Sequence, residues 1–167
     1  MKALGLIMMS LLFFTGKLSS QDMSTARSTI TIKIEDIKQS YTPSDHKIIK
    51  IVLENRNDTA VFLNLERSRY SDYKLFRFEL KRDGIEVQKT SFHLALIGED
   101  SDPEVPESTG RMIWKLAPRE ISRIAINLDR LFDLSVPGNY SLSVKIPANL
   151  DLKNDLYSNP VQFQVLP

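Results

Sequence analysis

Apolar residues recur at every second position over most of this chain. Ile30, Ile32 and Ile34 alternate with Thr31 and Lys33. Ile49, Ile51 and Leu53 share one face of the next segment, with Ile48 and Val52 on the other. Val61, Leu63 and Leu65 follow, then Phe76, Phe78 and Leu80, then Phe92, Leu94 and Leu96. The series runs on through Met112, Trp114 and Leu116, then Ile124, Ile126 and Leu128. It closes with Tyr140, Leu142, Val144 and Ile146, and with Val161, Phe163 and Val165. Alternate side chains of a strand point to opposite faces, so each set predicts the buried face of a half-exposed strand. About nine such segments with turn signals between them predict an antiparallel sandwich or barrel.

The turns support this reading. Asn55-Arg56-Asn57-Asp58 is a short polar connection, and Asp83-Gly84 is the residue pair that a type I′ hairpin turn demands. Pro137-Gly138 precedes the Tyr140 strand, and Asn159-Pro160 precedes the last one, where proline is tolerated. One stretch has a different period. Leu128, Leu131 and Phe132 stand at i, i+3 and i+4, which predicts a short helical crossover over 128–135, stopped by Pro137.

The first 20 residues are of another kind. Lys2 is followed by an apolar run from Ala3 to Phe14, too short to span a bilayer but suited to a secretory signal. The sequence therefore predicts a signal peptide over 1–20, cut after Ser20, and a single domain over 21–167. Cleavage would remove two of the 22 basic residues, Lys2 and Lys17, leaving 20 against 21 acidic ones. A chain so close to neutral has no global field to attract nucleic acid or an anionic membrane, and no membrane span is expected after cleavage. The chain has no cysteine, which excludes disulfides, thiolate metal sites and cysteine nucleophiles. Together these features predict export to a periplasmic or extracellular space.

Catalytic signals are scarce. The only histidines are His46 and His93, and there is no G-x-S-x-G, H-E-x-x-H, P-loop or G-x-G-x-x-G pattern. His93, between Phe92 and Leu94, is expected to face solvent on a strand. Ser44, Asp45 and His46 adjoin in sequence, which does not make a triad in space. The chain reads as non-enzymatic, with no cofactor.

Two loops carry the remaining chemistry. Gly98 to Glu107 holds five carboxylates, and Asp100, Asp102 and Glu104 have the spacing of the first EF-hand ligands. Val105 stands where that motif needs glycine and Arg111 where it needs glutamate, so calcium is a weak candidate and a solvated loop the favoured one. Glu66 to Lys74 places Arg67, Arg69, Tyr70 and Tyr73 close together at a strand end. Arginine and tyrosine are the residues that anchor interfaces most often, and rings can also stack on sugars. These four are the expected partner-binding residues, for a protein or glycan at the cell envelope. The competing expectation is an ordinary loop whose tyrosines cover the core edge and whose arginines pair with Glu66 and Asp72.

The closing half of the chain resembles secreted immunoglobulin-like β-sandwiches. The resemblance rests on Leu116, Pro118 and Glu120, on Arg123 to Leu128, on Leu131 to Ser135, and on Pro137-Gly138 with Tyr140 and Leu142. Similar endings occur in β-domains of deuterolysin-like secreted proteins and in small bacterial inhibitors of the intracellular proteinase inhibitor type. No zinc motif of the former is present, and no residue here supports inhibitor activity. The resemblance implies an all-β, antiparallel immunoglobulin-like sandwich of about 7–9 strands. It also implies that Tyr140 is structural, hydrogen-bonding to the chain just upstream as a tyrosine corner. The expected role is an exported, non-catalytic binding module. Its alternatives are an accessory or chaperone-like domain that pairs through a strand edge, and a calcium-dependent module or small hydrolase using His46 and the acidic loop.

Overall fold

The computed structural model describes residues 30–105 and 109–167. The expected signal segment, and Glu107 of the acidic loop, lie outside these residues.

Two antiparallel sheets enclose one core. The first has the order β1-β3-β8, formed by Ile30–Glu35, Ile48–Asn55 and Ile121–Asn127. The second has the order β2-β11-β9-β5-β6, formed by Ser40–Tyr41, Val161–Val165, Gly138–Ile146, Arg77–Arg82 and Ile85–Glu86, with β10 (Leu156–Tyr157) also pairing with β9. One pairing, β2 with β11, is parallel. A separate two-stranded ladder joins β4 (Val61–Glu66) to β7 (Arg111–Leu116). The fold is an all-β immunoglobulin-like sandwich. Of the eleven strands among the described residues, β2, β6 and β10 are only two residues long.

The alternating residues fill the interior. Ile49, Ile51, Leu53 and Ile126 from one sheet and Tyr140, Leu142, Val144 and Ile146 from the other are all essentially inaccessible to solvent. Asp83 and Gly84 adopt φ of 50° and 86° between β5 and β6, the left-handed pair of a type I′ turn. A Cβ at Gly138 would sit 2.8 Å from Arg82 Cγ, so the start of β9 requires glycine.

β3 passes into β4, and β7 into β8, at a common corner. Asn55 is fully buried there. Its Nδ2 donates to the carbonyls of Thr59, Leu116 and Ala117 at 2.9, 3.2 and 2.8 Å, and its Oδ1 accepts from Asn57 N–H. One amide thus satisfies backbone groups that the corner removes from the ladder.

Three sequence expectations change. Residues 91–96 form a helix, α2, not a strand. Thr90 caps it by accepting from His93 N–H, and burial falls on Phe92, His93 and Leu96, a helical spacing that the Phe-x-Leu-x-Leu alternation conceals. His93 is consequently buried, 3% exposed, instead of facing solvent. On β7 only Leu116 is fully buried; Trp114 is half-buried and Met112 is 41% exposed, although their partners on β4, Leu63 and Leu65, are buried. The expected short helical crossover within 128–135 is present as a single 3-10 turn, Leu128–Arg130, and the chain beyond it makes an antiparallel bridge between Phe132 and Lys89.

Candidate functional site

The Arg/Tyr segment divides into two parts. A short helix, α1 (Ser71–Leu75), follows β4 and turns both tyrosines inward. Tyr70 is 8% exposed and its ring meets Phe92 edge-on at 5.0 Å; Tyr73 is half-buried, and its hydroxyl accepts from Asn127 N–H at 3.1 Å. The guanidinium of Arg130 lies over Phe92 at 4.1 Å and over Tyr70 at 5.0 Å, while donating to Glu104 at 2.7 Å. The two tyrosines therefore cover a core edge, and the cations over the Tyr70 ring, Arg130 and Arg69 (5.7 Å), are the protein's own.

Arg67 and Arg69 are exposed, and among the described residues neither forms an ion pair. Glu66 pairs with Lys74 instead, at 2.8 Å. The Arg67 backbone is tied to the start of β7: its N–H donates to Gly110 O, and its carbonyl accepts from Thr109 N–H and Oγ1. Arg69 borders an open groove of about 400 Å³ whose apolar lining is Leu65, Met112 and Trp114. Partly exposed Met112 and Trp114 beside Arg69 were not singled out from sequence; only the three-dimensional ladder brings them together.

The acidic loop does not converge. Asp100 accepts from Ser101 N–H, Asp102 from Ser91 Oγ and Glu104 N–H, and Glu104 binds Arg130. Among the described residues no three acidic or imidazole side chains gather in a way that could hold a metal. His46 is exposed, and the neighbouring Asp45 carboxylate is occupied by Thr42 N–H and Oγ1, hydrogen bonds that hold it below the usual carboxylate range.

A second concavity, about 430 Å³, has His93 in its wall together with Arg77, Lys89, Glu99, Lys145 and Asp155. The His93 ring packs edge-on against Phe132 at 4.9 Å, and Nδ1 lies 3.1 Å from Leu131 O. Burial pushes its pKa down, the Leu131 carbonyl opposes this, and Lys89 and Arg77 add to the depression. Among the described residues no helix is long and apolar enough to cross a membrane.

No family model matches the chain, and no curated protein matches it. Several solved structures do. A mutant β-glucosidase from Listeria innocua in complex with laminaribiose aligns with 84% of this chain at 13% identity and a TM-score of 0.44. The aligned part is only 16% of that enzyme's chain. A CARDB domain from Pyrococcus furiosus, solved in solution, aligns with 82% of this chain and 94% of its own at 10% identity and a TM-score of 0.41. The crystal structure of that domain with two metal ions gives 84% and 90% coverage, 8% identity and a TM-score of 0.42.

Proposed function

We propose that this protein is an exported, non-catalytic member of the secreted immunoglobulin-like superfamily that binds a protein or glycan at the cell envelope. The observation that carries this reading is a pair of exposed arginines outside any ion pair among the described residues, Arg67 and Arg69, of which Arg69 borders the groove of Leu65, Met112 and Trp114. Arginine and tryptophan are residues that dominate binding energy when a partner covers them, and loops at the end of a rigid sandwich are where such scaffolds carry function. Export is supported by the apolar run after Lys2.

The test is capture of partners from envelope extracts by the parent and by Arg67→Glu/Arg69→Glu. Both side chains are exposed, so the variant should fold normally. Loss of captured species with unchanged thermal stability supports the reading; an unchanged set overturns the assignment of this surface.

A further inference from the structure

The β4–β7 ladder has one closed edge and one open edge. On β4, Phe62 N–H donates to Asp151 Oδ2 at 2.8 Å, Asn64 N–H to Asn149 Oδ1 at 3.0 Å, and Asn64 O accepts from Asn149 Nδ2 at 2.7 Å. Those groups therefore point away from β7, and Val61, Leu63 and Leu65 bond across the ladder. Their partners Leu116, Trp114 and Met112 direct their own groups to β4. It follows that Arg111, Ile113 and Lys115 direct their N–H and C=O groups outward, where no described residue meets them. All three residues are exposed, Ile113 by 64%.

Cations on an edge strand are a common protection against unwanted pairing. Here they flank an exposed isoleucine, and the resulting pattern is selective. Full antiparallel pairing with a second copy, centred on Ile113, would set Arg111 against Lys115 twice, a repulsive arrangement. A strand with acids at those two positions would be attracted. Its middle residue would lie beside Ile113, and the residues on either side of the middle would fall on the face of Met112 and Trp114.

We propose that the free edge of β7 receives an extended segment of a partner protein with the pattern acid–apolar–apolar–apolar–acid, added as a third strand to the β4–β7 ladder. This deepens the binding-module reading and rests on it, by naming the partner as an acidic, strand-forming protein segment.

Trp114 is the only tryptophan of the chain, so its fluorescence reports on this edge directly. The probe is the blocked peptide Glu-Val-Ile-Val-Glu, titrated into the purified protein. It should bind saturably with a blue shift of emission, while Lys-Val-Ile-Val-Lys and Glu-Val-Pro-Val-Glu should bind roughly tenfold or more weakly, losing charge attraction and a ladder bond respectively. Arg111→Glu/Lys115→Glu should reverse the preference in favour of the lysine peptide. Ile113→Pro removes an outward N–H, leaves the bonds to β4 in place, and should abolish binding of both. Absence of saturable binding, or equal binding of all three peptides, overturns the proposal and leaves the cations as edge protection alone. The capture experiment separates the two readings. Partners lost with Arg67→Glu/Arg69→Glu but retained with Ile113→Pro would sink the strand addition and spare the binding module. Partners unaffected by either variant would sink both.

Discussion

The hydroxyl of Tyr140 donates a 2.5 Å hydrogen bond to the carbonyl of Val136, four residues upstream, while its ring stacks on Phe163 at 5.2 Å. One side chain thus joins the turn before β9 to the centre of the second sheet. Burial pushes the phenol pKa up, so it is a donor throughout the physiological range. Tyr140→Phe should cost about 1 kcal/mol and Tyr140→Ala about 3–5 kcal/mol, read from urea unfolding. Parent-like midpoints for both would refute the corner's role.

Lys47 is buried, and its Nζ lies 3.2 Å from Asp129 while also donating to Asp45 O at 2.9 Å. Asp129 also receives Lys47 N–H at 2.9 Å, so removing its carboxylate leaves both a charge and an amide uncompensated. Asp129→Ala should destabilise by about 3 kcal/mol, whereas Lys47→Met/Asp129→Ala should recover part of the loss. Equal stability of the single and double variants would show that the ammonium needs no partner.

Asn55→Ala removes four hydrogen bonds at the corner between the first sheet and the β4–β7 ladder. A loss of about 1–3 kcal/mol is expected. Amide exchange should rise at Asn57, whose N–H loses its acceptor, before it rises in β9. Uniform exchange would instead indicate that the ladder opens only with the whole domain.

His93 gives the fold an acid sensitivity. Its pKa in the folded protein is below the usual ~6.5 because burial disfavours the charged ring, with Lys89 and Arg77 acting in the same direction and Glu99 against it. The unfolded chain therefore binds this proton first. Its contribution is complete above about pH 6.5 and is lost as pH falls through the window below. Denaturant midpoints of parent and His93→Gln should converge as pH is lowered from about 7.5 to 5.5; parallel curves would remove His93 as the cause.

Strand faces were legible because burial follows period two wherever both sheets flank the residue, as at Ile49, Ile51 and Leu53. Asp83-Gly84 was legible because few residue pairs tolerate its backbone. α2 was hidden because Phe92, Leu94 and Leu96 fit two periods, and the Thr90 cap that decides between them is a single residue. The direction of Tyr70 and Tyr73 could not be read locally either. Their neighbours Phe92, Arg130 and Asn127 come from distant parts of the chain. The groove edge at Met112 and Trp114 looked like core, since alternation records which side a residue faces and not whether anything covers that side.

The side chains of Asn149 and Asp151 occupy the β4 edge and contribute no extended strand of their own beyond it. A ladder finished in this way can lengthen in one direction only. Any growth of this ladder by strand addition is therefore confined to the β7 side. The β4 flank is withdrawn from pairing, so two copies cannot join through it and β7 alone keeps an adhesive backbone in this ladder.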